Sequence, residues 1–399
     1  MRKKLEGKVF SAQEIFQIVT DIADHRYSDI ELTTFVVACF GRNLCEKEIL
    51  FLTQAMIKTG VTLNWKLPIV LDKHSIGGVP GNRTTMIVVP IVASYGLPIP
   101  KTSSRAITSP SGTADTMESV TNVLLSMNEM KRIVAKENGC LAWGGALSLA
   151  PVDDIIISVE KPLSLDSEGQ MVASILSKKK AAGATHVLID MPFGPQAKVK
   201  SRKEALHLKG LFERIGKKIG LHVFVEISYG RQPIGYGIGP VLEAQDVLKV
   251  LKCQVDAPKD LRDKSLFLAG QLIEIGSGLK KGHGIKIARE ILDSGAAYQK
   301  FIKIAKMQGH LKKLRRGSYR YQVIARQDGC VRSIHNQKIA RLARLAGAPA
   351  DQGAGVLLHL KLGQRFHEGD ILFEIFSENK KHLSDAKKYA DENFDILTG

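Results

Sequence analysis

The stretch LDKHSIGGVPGNRTTM, Leu71 to Met86, decides the fold because its texture changes twice within sixteen residues. A short apolar run, Leu67 to Leu71, stops at Asp72, Lys73, His74 and Ser75. Gly77, Gly78, Pro80 and Gly81 follow, and an apolar, helix-like run starts at Thr84. This order is the strand-to-loop-to-helix junction of an open α/β sheet, where ligands gather at the carboxyl ends of strands. Glycines let backbone N–H groups approach an anion, and the helix start adds favourable partial charge. Lys73 supplies a point charge, and Ser75, Thr84 and Thr85 supply hydroxyls. Neither GxxxxGK[ST] nor GxGxxG is present, so ATP and a dinucleotide are poorly supported and a phosphate-sized anion suits the loop better.

The same alternation extends outward. An extended piece at Ile99–Ser103 leads into KTSSRAITSPSGTADTMES, Lys101 to Ser119, a second loop rich in hydroxyl donors, which Thr113 closes as a candidate cap. Ser126 with Glu129 opens a helix before a short strand at Cys140–Trp143. A helix is expected over Asp166–Ala182, with Asp166 near its start as a possible cap. The strand THVLIDM, the helix SRKEALHLKGLFERIGKKIG, the strand LHVFVEIS and the helix VLEAQDVLKVLKC follow. Repetition of strand and helix at this spacing predicts an α/β domain with a largely parallel sheet. Ser174 and Lys178 are four apart and share one helix face. Lys179 and Lys180 beside them have the pattern of a solvated basic helix end.

The flanks differ in texture. The first sixty residues have helical periodicity, with capping-box spacings at Ser11/Glu14 and Ser28/Glu31 and a stop at Gly60. After about Arg315, YQVIARQDGCVRSI and GVLLHLKLGQRFHEGDILFEIFS have the pattern of β-hairpin segments with HEGD as a turn, and a C-terminal α+β domain is expected. The resulting division is a small helical domain in two pieces, 1–62 and 151–183, an α/β domain over 63–150 and 184–315, and a C-terminal domain over 316–399.

With 399 residues, 44% hydrophobic and 24% charged, the chain can build two or three well-cored domains, and disorder is not expected. Five scattered cysteines without CxxC or metal spacing point to a reducing compartment and to no metal site. MRKKLEGKVFSAQE lacks an apolar core of the signal-peptide kind, and no apolar run approaches the roughly 20 residues of a membrane span. A cytoplasmic protein with no membrane partner is expected. The net charge of +17 fits nucleic acid, phosphate or a phosphorylated metabolite.

Four segments in order, DKHSIGGVPGNRTT, TSSRAITSPSGTADTMES, LSLAPVDD and ASILSKKKAAGATHVLID, resemble the thymidine/pyrimidine-nucleoside phosphorylase family. The resemblance covers essentially the whole chain, and the typical DKHSTGG loop is kept except for Ile76. It implies a helical domain set across a cleft from an α/β domain, a C-terminal α+β domain, and dimers formed through the helical domain. It implies phosphorolysis: orthophosphate, a co-substrate rather than a cofactor, attacks the anomeric carbon of a nucleoside and the base departs. Lys73, Ser75, Thr85, Ser103 and Thr113 correspond to the phosphate-holding residues. His74, Ser174 and Lys178 correspond to those facing the base, with His74 the candidate donor to it. No cofactor or metal is implied.

Pyrimidine-specific members carry an arginine after the LAP motif, and here ISVEKPLSLD has none; Val159 falls at about that place. The PSGTADTMES and EKPLSLD forms look closer to archaeal AMP phosphorylases and the bacterial type 2 thymidine phosphorylases. That branch implies Asp166 as proton donor. It also implies nucleotide contacts from Gly78, Ser104, Arg105, Ala106, Ile107, Thr108, Ser109, Thr113, Ser174 and Lys198. Members of it usually carry an additional N-terminal domain. The expected reaction is therefore thymidine phosphorolysis, with AMP phosphorolysis as the alternative. A non-enzymatic RNA-binding reading rests on KIAKMQGHLKKLRRGSYRYQ, residues 303–322, where basic residues interleave with Tyr319 and Tyr321. No RRM, KH or helix-turn-helix signature accompanies it.

Overall fold

The computed structural model describes residues 1–41, 44–106, 109–147, 149–163, 165, 167–393 and 396–398. From the N-terminus come α1 (Arg2–Leu5), α2 (Ala12–Ala23), α3 (Asp29–Gly41) and α4 (Glu46–Thr59). Next are β1 (Leu71–Ser75), α5 (Thr85–Tyr95), β2 (Ile99–Ser103), α6 (Thr113–Glu118), α7 (Met127–Glu137) and β3 (Gly139–Trp143). The middle holds α8 (Pro151–Leu163), α9 (Glu168–Ala181), β4 (His186–Phe193), α10 (Arg202–Lys218), β5 (His222–Tyr229), β6 (Gly237–Ile238) and α11 (Pro240–Leu251). Three helices follow, α12 (Lys259–Ser277), α13 (His283–Asp293) and α14 (Ala296–Gln308). The C-terminal part has β7 (Tyr319–Ile324), β8 (Gly329–Cys330), β9 (Ser333–Ile334), α15 (Asn336–Leu345), β10 (Gly355–Leu358), β11 (Arg365–Phe366), β12 (Ile371–Ser377), α16 (Lys380–Glu392) and β13 (Leu397–Thr398). Among the described residues no helix is long and apolar enough to cross a membrane.

The fold is a helical N-terminal region, an α/β region with parallel strands and a C-terminal α+β region. By internal contacts it divides into two compact units: residues 1–74, 144–189 and 206–226, and residues 75–143, 190–205 and 227–399. In the first unit, local signals place the helices. Ser11 Oγ accepts from the Glu14 amide at 3.2 Å while Glu14 accepts from the Ser11 amide at 2.7 Å, and Ser28 and Glu31 repeat the exchange at 3.4 and 3.0 Å. Gly60 ends α4 with φ −104°, not in the left-handed conformation of a glycine cap. Glycine is required there because a Cβ would lie 2.1 Å from the Leu149 carbonyl oxygen.

The strand expected at Leu67–Leu71 instead runs from Leu71 to Ser75, so the polar residues lie in the strand and not in the loop after it. Polar residues survive there because they are paired: Asp72, 1% exposed, meets the Lys179 ammonium at 2.8 Å. Lys179 is therefore not part of a solvated helix end; it is buried, whereas Lys180 caps the Gly220 carbonyl at 2.9 Å. The cap of α9 is Ser167, whose hydroxyl accepts from the Gln170 amide, and the helix begins at Glu168; Asp166 lies outside the described residues. The cap of α6 is Gly112, with Thr113 the first helical residue.

Strands β1, β4 and β5 lie in the order β1-β4-β5. They run in one sense: His222 at the start of β5 donates to Thr185 beside the start of β4, and Gly230 after β5 donates to Phe193 at the end of β4. Strands β2 and β3 pair in parallel from Ile99↔Gly139 to Ser103↔Trp143. In the second unit an antiparallel sheet of order β6-β10-β12-β7 closes over Val323, Val356, Ile375, Ile339 and Leu342. Its strand β6 comes from before α11, paired as Val356↔Ile238. HEGD does turn the chain between β11 and β12, but the two do not form a hairpin: β11 pairs with β8, and β12 with β10 and β7.

A buried ion pair joins α1 to α4 in the helical region. Glu48, 0% exposed, accepts both contacts of the Lys4 ammonium at 2.9 and 2.7 Å and the amides of Phe10 and Cys45, each at 2.9 Å. Removing one partner strands a buried charge, which costs roughly 3–5 kcal/mol. Glu48→Ala should lower the unfolding free energy obtained from urea titration by that order. A Lys4→Met/Glu48→Leu double variant should recover only part of the loss, because the Phe10 and Cys45 amides remain without their acceptor.

Candidate active site

The loop after β1 is held from beneath by a carboxylate. Asp190, 0% exposed near the end of β4, accepts from Ser75 Oγ at 2.9 Å, Asn82 Nδ2 at 3.1 Å and Ser228 Oγ at 3.1 Å, and pairs with the Lys264 ammonium at 2.9 Å. Its main-chain oxygen accepts the Ile76 amide at 2.9 Å. The end of β1, the loop and the end of β5 are thus bound to one buried anion. Gly78 in this loop has φ +95°, and a Cβ there would lie 2.3 Å from the Lys198 amide nitrogen. The structure therefore brings together Gly78 and Lys198, two residues expected at a nucleotide.

Arg83, next to Asn82, reaches a second buried carboxylate. Its guanidinium binds Glu243 and the Ser111 carbonyl closely and donates to Thr113 Oγ1 at 3.1 Å. Glu243 also accepts from Thr116 Oγ1 at 3.2 Å and from the Gly239 amide at 3.1 Å. Burial pushes the Glu243 carboxyl up and the adjacent Arg83 opposes that shift. Ser75 is therefore anchored directly by Asp190, and Thr113 and the hydroxyl loop are anchored through Arg83. Thr85 is buried at the first position of α5.

The second loop is fixed by its own helix. Asp115 accepts the Ala106 amide at 2.7 Å, the Gly112 amide at 2.8 Å and the Arg105 guanidinium at 3.1 Å. Arg105 also grips Glu118 through two bonds of 2.6 and 2.7 Å and stacks over Trp143 at 4.8 Å. Its charge is thus engaged within the loop. Ser109 Oγ turns back onto the Ser111 carbonyl at 2.9 Å, while Ser104 is exposed. Ile107 and Thr108 lie outside the described residues. Ser103, at the end of β2, is 9% exposed, and its hydroxyl has no hydrogen-bond partner among the described residues.

In the first unit, Lys73 is fully buried on β1 and His74 is half-buried. On α9, Lys178 donates to Asp153 Oδ2 at 2.6 Å, and Asp153 is 1% exposed at the start of α8. Burial, and then Asp153, push the neighbouring Asp154 carboxyl up. Ser174 lies one turn before Lys178, half-buried. The sequence reading missed Asp190, Asn82, Arg83, Glu243, Lys264 and Asp153. A signal was available for two of them: Asp190 and Glu243 interrupt apolar runs, and a charge at a core position needs a partner.

The chain matches the glycosyl transferase family helical bundle domain over residues 1–60 and the a/b domain of that family over 67–298. Over residues 330–397 it matches the pyrimidine nucleoside phosphorylase C-terminal domain. A relative from Legionella pneumophila (strain Paris), named "Putative thymidine phosphorylase", is 49% identical over 394 residues, 99% of this chain and 76% of the relative. Relatives of the same name are 50% identical in Methylococcus capsulatus (98% of this chain, 76% of the relative) and 52% identical in Bradyrhizobium sp. (strain ORS 278) (100% and 79%). The crystal structure of anthranilate phosphoribosyltransferase from Thermus thermophilus shares the fold, with a TM-score of 0.64 at 18% identity over 77% of this chain and 98% of that one.

The Arg105 pair makes the second loop sensitive to acid. Hydrogen bonds from Arg105 hold the Glu118 carboxyl below its usual range. A lowered folded value means the contribution is complete above the ordinary glutamate pKa of about 4.3 and fades as pH falls through the lowered value. The stability gap between wild type and Glu118→Gln, followed by urea unfolding, should be flat near neutrality and shrink below about pH 4.

Proposed function

Because the chain belongs to the thymidine/pyrimidine-nucleoside phosphorylase family, a family of pentosyltransferases, we propose that it catalyses reversible phosphorolysis of thymidine to thymine and 2-deoxyribose 1-phosphate. A phosphate oxygen forms a bond to the anomeric carbon, the bond from that carbon to the base nitrogen breaks, and the base leaves with a proton. The transition state has oxocarbenium character, as in glycoside hydrolysis, so catalysis depends on holding the anionic nucleophile in line and stabilising the departing base.

In this reading Lys73, Ser75, Thr85, Ser103 and Thr113 hold phosphate. The observation that carries it is the Ser103 hydroxyl, buried and unpartnered among the described residues at the carboxyl end of β2. A buried donor without an acceptor is unfavourable until an anion arrives. His74, Ser174 and Lys178 face the base, with Asp153 keeping Lys178 in place.

The second reading is AMP phosphorolysis to adenine and ribose 1,5-bisphosphate, with Asp166 as proton donor and Gly78, the run Ser104–Ser109 and Lys198 on the nucleotide. It is favoured by Val159 in α8, where pyrimidine-specific members of the family carry an arginine. An RNA-binding role has less support, because Lys380 and Lys387 sit 5.7 and 4.9 Å over the rings of Tyr319 and Tyr321 and each covers one face of its ring.

Phosphate-dependent base release from thymidine, uridine and AMP, assayed in parallel, separates the readings. Thymine from thymidine supports the first, and adenine from AMP alone supports the second. Lys73→Ala should reduce kcat/KM for phosphate by at least about 100-fold, as expected for loss of a buried charged contact. An unchanged rate in that variant would remove Lys73 from the phosphate set.

A further inference from the structure

Helix α9 carries a buried carboxamide with no assigned work. Gln170 is 2% exposed, and neither its Oε1 nor its Nε2 has a partner among the described residues. Only its backbone is engaged, the amide donating to the Ser167 cap. Glutamine is seldom buried in this condition, since its side chain offers two donors and a two-fold acceptor, and interiors normally satisfy them.

Its position on the helix suggests what it is kept for. Gln170, Ser174 and Lys178 recur at steps of four and form one stripe. Lys178 is held by Asp153 at 2.6 Å. Ser177, at the edge of the stripe, spends its hydroxyl on the Ser174 carbonyl at 3.2 Å and on the Met56 sulfur at 3.8 Å. Gln170 is fully buried beside these engaged groups, yet its own polar atoms are unspent.

We propose that Gln170 is a specificity-determining residue that reads the edge of the base with its carboxamide. This rests on the reading above, in which Ser174 and Lys178 face the base. A carboxamide presents an acceptor beside a donor in one plane. It complements a base edge that pairs a donor with an acceptor, either N3–H with an exocyclic oxygen of a pyrimidinedione or the N6 amine with N7 of adenine. It carries no charge and so suits a neutral base, and it is a different kind of contact from the ammonium of Lys178.

Gln170→Met, which keeps length and removes the polar atoms, separates this role from a structural one. Steady-state phosphorolysis is measured with nucleoside and phosphate varied separately, using whichever of thymidine, uridine and AMP the wild type cleaves, together with thermal melting. The expected result is a nucleoside KM raised roughly 10- to 100-fold, a phosphate KM within about twofold of wild type, and a melting temperature that does not fall. An unchanged nucleoside KM overturns the proposal. Gln170→Asn, which keeps the group but withdraws it by one methylene, covers the case in which the methionine variant does not fold. It too should raise the nucleoside KM alone, and loss of cooperative melting in both variants assigns Gln170 to the fold and overturns the proposal. A wild type that cleaves none of the three substrates refutes the activity reading instead. The carboxamide is then judged by the melting shift with free thymine, uracil or adenine: a shift abolished by Gln170→Met upholds the contact, and no shift in the wild type overturns it.

Discussion

A carboxylate sealed from water has to be fully bonded, and Asp190 imposes that requirement on the second unit. With 0% exposure it takes Ser75, Asn82, Ser228 and Lys264 as partners, drawn from the end of β1, the following loop, the end of β5 and the helix α12. An unpaired charge at that depth would carry a penalty of several kcal/mol, so these pieces are held to positions from which they can reach it. The glycine-rich loop therefore has an ordered base although its own residues have little side chain to pack.

The constraint passes along the chain by one residue. Asn82 serves Asp190, and Arg83 serves Glu243 together with Ser111 and Thr113. Arginine suits this role because its rigid fork can meet a carboxylate, a carbonyl and a hydroxyl at once. Two donor-rich loops are thereby coupled through adjacent side chains buried beneath them. Such preorganisation is what the proposed phosphate-holding role requires, because donors oriented in advance cost little to order on binding. The remaining flexibility is limited further by Asp115 and Glu118, which hold Arg105 and the Ala106 amide in place.

The first unit uses the same device for a different purpose. Lys4–Glu48, Asp72–Lys179 and Asp153–Lys178 are each buried on at least one side and join helices or strand to helix. The first two define packing, and the third orients a lysine. The fold is shared with a phosphoribosyltransferase at 18% identity, and a shared scaffold of this kind does not by itself fix a chemistry.

Sequence alone determined the elements whose causes are local. The capping boxes of α2 and α3, the strand at Ile99–Ser103, the helix from Thr85 and the alternation that makes the α/β region all follow from patterns within a few residues. The two donor-rich loops were legible for the same reason, since hydroxyls and glycines cluster there. What only the tertiary structure decided is which buried charge meets which partner. Arg83 and Glu243 are 160 residues apart, and Ser75 and Asp190 are 115 apart. Lys179, in a basic run, went inside because Asp72 awaited it, and β1 moved to Leu71–Ser75 because polar residues so paired are tolerated in a strand. HEGD turned as expected, but β11 and β12 joined different sheets, since strand pairing is chosen by the whole packed surface. Periodicity reports whether a residue faces inward; it carries no information about the distant residue waiting there, because that depends on how the entire chain closes.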